Sequence, residues 1–148
     1  MRQDSRLSRV LHALLHLEQM QEPATSELIA GMLGTNAAVV RRTMGGLRAA
    51  GIVTSTKGHR GGWSLARSLG DISLMDIYTA LGSPILFAIG NDAVEPRCLL
   101  AKAANKATTK ALEAARRQFE SVLESTSVAD LVADWRPEMT NCGPMEDQ

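Results

Sequence analysis

Apolar residues recur at helical spacing near the start of the chain, where Leu7, Leu11, Leu14 and Leu15 mark a first helix from about Ser5 to Met20, ended before Pro23. A second helix of two turns follows. Thr25 or Ser26 caps it, because a short side-chain oxygen satisfies the first free amides, and Gly34 suits the left-handed position beyond its last turn. Asn36 then caps a third helix, in which Ala37, Val40, Met44 and Leu47 form one apolar stripe and Gly51 marks the end. That stripe leaves Ala38, Arg41, Arg42 and Gly45 on or beside the opposite face. A short helix, a tight glycine-containing turn and a capped second helix make a helix-turn-helix. Small residues beside two arginines let such a helix approach a groove closely while guanidiniums reach its floor or walls.

The period then changes. Ile52–Ser55 and Trp63–Ala66 read as two strands, joined by Thr56-Lys57-Gly58-His59-Arg60-Gly61-Gly62. Three glycines permit unusual backbone angles there, and Lys57, His59 and Arg60 crowd the tip. A β-hairpin with a basic tip after a helix-turn-helix is a wing, placed to lie beside a duplex backbone or in its minor groove. The same glycines do not make a nucleotide-phosphate loop, since no Lys-Ser/Thr pair follows them and a strand comes next.

Ser73-Leu74-Met75-Asp76 is a capping-box variant that opens a short helix through Ile77, Tyr78 and Leu81, stopped by Gly82-Ser83-Pro84. Residues 85–97 show no period and read as a loop. From about Cys98 to Ser125 the chain is strongly helical, with Leu112, Ala115, Phe119 and Val122 as a short heptad-like seam. Twenty-eight residues span ~42 Å, too long for so small a domain to cover, so a partner chain is the expected cover. Ser127-Val128-Ala129-Asp130-Leu131 repeats the capping-box variant and opens a last short helix. The tail is polar and contains Gly143-Pro144. The predicted fold is mainly α with a small β-hairpin wing. It comprises a winged helix-turn-helix unit over 1–68, a short helix and loop over 69–97, a dimerisation helix and terminal short helix over 98–135, and a flexible tail over 136–148.

Composition changes this picture in two ways. The 148 residues are 45% apolar but only 3% aromatic, so aliphatic side chains must fill the core, which favours helices. The formal net charge of zero conceals a division. Residues 1–68 hold nine Lys/Arg against four acids, a balance of +5, and the remaining 80 residues hold a balance of −5. A basic half joined to an acidic half suits a polyanion-binding module attached to a different functional part. Two cysteines, Cys98 and Cys142, are too few for a disulfide scaffold and point to a reducing cytoplasm. No apolar run approaches membrane-spanning length, and His12 and His16 break the early apolar run, so a signal peptide is not expected.

No Ser-His-Asp or paired-carboxylate arrangement is readable, so catalysis is not expected. Among the basic residues, Arg41 is the candidate for a base edge, since arginine forks onto guanine. Arg48, Lys57 and Arg60 are candidates for phosphate, which confers affinity and salt dependence rather than sequence reading. His12 and His16 stand four apart, a spacing that can hold a metal, but no Cys, Asp or Glu nearby completes the set, and a helix packed among apolar neighbours commonly contains a hydrogen-bonded histidine, which is the favoured reading. Cys98 reads either as inert filler or as a redox-sensitive thiol, its thiolate favoured by Arg97 and by the helix start. A small-ligand pocket has room between the loop 82–97 and the winged unit, with no marked chemistry.

Together these pieces resemble the Rrf2 family of bacterial winged helix-turn-helix transcriptional regulators, which includes iron–sulfur, nitric-oxide and cysteine-metabolism regulators. The resemblance runs over about residues 5–135. It is carried by Leu33-Gly34-Thr35-Asn36 with Val39-Val40-Arg41-Arg42, by Leu47–Val53, by Ile72–Tyr78 and by Ser127–Leu131, and most specifically by the wing Lys57–Ala66. It implies a homodimer held by the helix 98–125, binding a roughly palindromic operator as a repressor. It also implies that Asn36, Ala38, Arg41, Arg42 and Arg48 lie on the recognition helix or at its start, with Lys57, His59 and Arg60 on the wing. Cluster-bearing members carry several cysteines where this chain has only Cys98, and some draw a ligand from the first helix, where His12 stands. No cofactor is therefore expected. The alternatives are a redox or iron–sulfur sensor using Cys98 with His12, and a winged-helix adaptor that no longer binds DNA.

Overall fold

A computed structural model describes residues 4–87 and 97–133. Three helices, α1 (Arg6–Gln19), α2 (Ser26–Leu33) and α3 (Ala37–Ala49), precede an antiparallel hairpin of β1 (Val53–Thr56) and β2 (Gly62–Leu65). A 3₁₀ turn at Leu69–Asp71 leads to α4 (Leu74–Ala80), then come α5 (Leu99–Ser125) and a 3₁₀ turn at Ala129–Val132. The caps form as their chemistry requires. Thr25 Oγ1 accepts from the Leu28 amide, Asn36 Oδ1 from the Val39 amide, and Ser73 and Asp76 complete a reciprocal capping box. Gly34 takes the left-handed conformation at φ 59°, while the Thr35 amide bonds to the Ala30 carbonyl, and this closes α2.

The hairpin pairs Val53 with Leu65 and Thr56 with Gly62. It starts one residue later than the pattern suggests, because the Ile52 amide is drawn back to the Leu47 carbonyl and finishes α3. Ala24 pairs with Trp63 through both main-chain bonds, at 2.9 and 2.8 Å, and so fastens the α1–α2 connection to β2. Gly62 is required by that close approach, since a Cβ there would lie 2.5 Å from the Ala24 carbonyl oxygen.

One core cluster runs from Val10 to Val128. Leu14, Ile29, Met44, Leu47, Ile52, Ile72 and Ile77 are sealed within it, each worth about 1.5–3 kcal/mol of burial. The C-terminal segment joins this cluster. Leu74 donates its amide to Thr126, and Val128 donates to Ile72, pairing Ser73 with Ser127. Ser127 and Asp130 exchange the expected capping bonds, but the turn they open is 3₁₀ rather than α and only four residues long.

Along α5 only Leu123 is buried. The expected seam divides. Phe119 sets its ring edge against Tyr78 of α4 at 5.5 Å, and Leu112 shares a cleft with Tyr78, whereas Ala115 and Val122 stay exposed. Phe119 and Leu123 turn inward because α4 presents apolar surface that the winged unit does not cover. A different row, Leu100, Ala104, Ala107, Ala111 and Ala114, steps by four and three along the outer face, exposed throughout. None of the described helices is long and apolar enough to cross a membrane.

Candidate functional site

The recognition helix α3 is held from below by Val40, Met44 and Leu47, all buried, so its other face is presented rigidly. Ala38, Arg41 and Arg42 are exposed there, as predicted from the stripe, Gly45 beside them is half-buried, and the cap Asn36 is exposed at the helix start. Arg42 has no hydrogen bond or ion pair among the described residues. Arg41 has one: its Nη1 donates to Glu27 Oε1 on α2 at 3.0 Å, across the helix-turn-helix. The Glu27 carboxyl is held below its ordinary range by its own main-chain amide first and by Arg41 second. Both side chains remain more than half exposed, so the pair is weak and readily opened by a competing acceptor.

Arg48 has a different setting. Its Nη1 donates to Ser55 Oγ on β1 at 2.9 Å, and its guanidinium carbon lies 5.9 Å from the Trp63 ring centre. It ties the recognition helix to the hairpin. Trp63 is itself anchored, buried with its indole N–H donating to Ser26 Oγ at 2.9 Å. The wing tip carries Lys57, His59 and Arg60, all exposed. Gly58 and Arg60 both take positive φ, 91° and 63°, and the Gly61 amide bonds back to the Gly58 carbonyl. A non-glycine residue in that region is uncommon.

Pattern reading missed Glu27, Ser26, Ser55 and Trp63 as supports of this surface. Their partners stand 14, 37 and 7 residues away for the three hydrogen bonds, beyond any local period. The acidic first turn of α2 was the one available signal for Glu27.

Cys98 is the N-cap of α5 and exposed. The amides of Ala101 first and Leu100 second hold its thiol below the ordinary value of 9.0. Among the described residues no group of three His, Cys, Asp or Glu is placed to hold a metal. Cys142, most of the loop 85–97 and the tail lie outside the described residues. The pocket expected between the loop 82–97 and the winged unit involves residues 88–96, which lie outside the described residues. A cleft of about 460 Å³ opens between residues 83–87 and α5, lined by Tyr78, Ile85, Phe87, Leu112, Glu113 and Arg116.

Known proteins share this arrangement. The Rrf2 family model, described as an iron-dependent transcriptional regulator, matches residues 3–134. YwnA of Bacillus subtilis, named as an HTH-type transcriptional regulator, is 36% identical over 130 residues, which cover 87% of this chain and 96% of that protein. A solved structure described as a DNA binding protein is 32% identical with a TM-score of 0.69, over 86% of this chain and 99% of that one. CymR, the global cysteine regulator of Bacillus subtilis, shares the fold at a TM-score of 0.65 and 21% identity, over 90% of this chain and 98% of its own. With its helix-turn-helix, basic hairpin and long C-terminal helix, the chain belongs to the Rrf2 family of DNA-binding transcriptional regulators, which are not enzymes.

Proposed function

We propose that two copies of this chain form a cytoplasmic repressor that binds a roughly palindromic operator and carries no resident iron–sulfur cluster. The observation that carries this reading is the continuous support behind the basic surface. Arg41 and Arg42 sit on a helix packed by three buried residues, and Arg48 couples that helix to the hairpin bearing Lys57, His59 and Arg60. In this reading Asn36 and Ala38 allow close entry into the major groove, and Arg41 leaves Glu27 to read a base edge. Arg42, Lys57, His59 and Arg60 meet the backbone. Arg48 positions the wing and offers its remaining N–H groups to phosphate. The dimer is supported by the exposed row Leu100, Ala104, Ala107, Ala111 and Ala114, whose four alanines admit a second helix closely while Leu100 offers apolar surface to it.

The test is titration of Arg41→Ala and Arg60→Ala against operator DNA at several salt concentrations. Arg41→Ala should lose about 1–3 kcal/mol and relax preference at one base pair, while Arg60→Ala should weaken all sequences alike and reduce the salt slope by about 1. If neither variant changes binding, the assigned surface is wrong.

A second reading rests on Cys98, an exposed thiol with lowered pKa at a helix start. It makes the regulator redox-responsive, with His12 as an accessory group. Iron content after anaerobic purification, and operator affinity before and after peroxide, test it. A protein indifferent to both oxidant and thiol reductant rules it out.

A further inference from the structure

Outside the DNA-facing surface, α1 carries an arrangement that neither its packing nor the proposed operator contact uses. His12 and His16 project one turn apart from the side of α1 opposite Val10, Ala13, Leu14 and Leu17, which enter the core. Their Nε2 atoms stand 2.9 Å apart, with ring centres separated by 4.7 Å and ring planes inclined at 49°. Two neutral imidazoles reach this distance by sharing one proton, one Nε2–H donating to the other Nε2. The geometry has a second reading, because the two Nε2 atoms are brought to the same place.

We propose that His12 and His16 form a two-nitrogen chelate for a late first-row divalent cation whose ligands stand at right angles, of the nickel(II) or copper(II) class. Metal–imidazole bonds are about 2.0–2.1 Å, so cis ligands at a right angle place their nitrogens about 2.9 Å apart, whereas a tetrahedral ion places them about 3.3 Å apart. Ring centres, about 1.15 Å behind each nitrogen, would then be about 4.5 Å apart in the first case and about 5.2 Å in the second. The observed 2.9 and 4.7 Å match the right-angled set. Such geometry with nitrogen donors is characteristic of Cu²⁺ and Ni²⁺, which also stand high in the order of divalent affinities. No third protein donor completes the set among the described residues, so water fills the other positions and binding is reversible. A bound ion would clamp one turn of α1, the helix that packs against β2, α2 and α4.

The experiment is calorimetric titration of tag-free protein with Ni²⁺ at pH 7.5. The wild type should bind one ion per chain in the micromolar range. His12→Gln and His16→Gln should each weaken binding at least about tenfold, while Cys98→Ser and His59→Gln leave it unchanged. His12 is exposed and His16 half-buried, and circular dichroism of each variant establishes that it is folded. With Cu²⁺, electron paramagnetic resonance should show coupling to two nitrogens in the wild type and to one in each single variant. Absence of binding to the wild type, or equal binding in both histidine variants, overturns the site. So does a Cu²⁺ spectrum that the variants do not alter.

Discussion

Arg48 Nη1 donates to Ser55 Oγ at 2.9 Å, so the last turn of the recognition helix is bonded to the first strand of the hairpin. The distance between the two elements proposed to face DNA is thereby set by a side chain that also rests near the Trp63 ring. A charge-assisted hydrogen bond and a partly exposed cation–π contact together contribute about 1–2 kcal/mol.

Arg48→Ala should accordingly lower stability in urea by about 1 kcal/mol. It should also weaken operator binding through a looser hairpin. Ser55→Ala separates the two contributions, since it removes the hydrogen bond and leaves the charge. If positioning dominates, Ser55→Ala reproduces most of the loss of affinity without changing the salt slope. A slope reduced by about 1 in Arg48→Ala alone would identify a phosphate contact instead.

Trp63→Phe removes the indole donor from Ser26 Oγ, a buried bond. The variant should lose about 1–3 kcal/mol, the cost of leaving a buried hydroxyl unsatisfied together with a small cavity. Adding Ser26→Ala should restore part of that loss, because the orphaned group is then absent. A double variant no more stable than Trp63→Phe would mean that packing, not hydrogen bonding, holds the indole.

The exposed row on α5 makes a separate prediction. Ala107→Glu and Ala111→Glu place charge where a second copy is proposed to pack, at positions that are open to solvent in the single chain. Each should shift sedimentation toward the monomer while helix content stays constant. Palindromic operator affinity should fall with the loss of dimer, and half-site affinity should not. Sedimentation identical to wild type in both variants would place the interface elsewhere.

His16 sets a pH dependence. Burial, and then His12, lower its folded pKa beneath the ordinary value of 6.5, so between the two values the unfolded chain binds more protons than the folded one. Stability therefore rises with pH through that window and is lost as pH falls from neutrality toward the folded pKa. His16→Gln should flatten the stability–pH curve below neutrality, measured by urea unfolding. An unchanged slope would show that other groups govern it.

Local chemistry was legible along the chain because it depends on neighbours within one turn. Thr25, Asn36 and Ser73 had to find amides two or three residues ahead, Gly34 had to end a helix, and the stripe Val40-Met44-Leu47 had to face inward. From these the helix-turn-helix, the hairpin and the outward set Ala38, Arg41, Arg42, Lys57, His59 and Arg60 followed. Periodicity says that a face is buried, though not against what. Tertiary packing alone decided that Ala24 pairs with Trp63, that Glu27 holds Arg41, that Arg48 belongs partly to the hairpin, and that Ser73 and Ser127 are bridged. It also decided the division of labour on α5. An alanine-rich helix carries more than one apolar row, and only the position of Tyr78 determines that Phe119 turns toward its own chain while Leu100, Ala104 and Ala107 are left facing out.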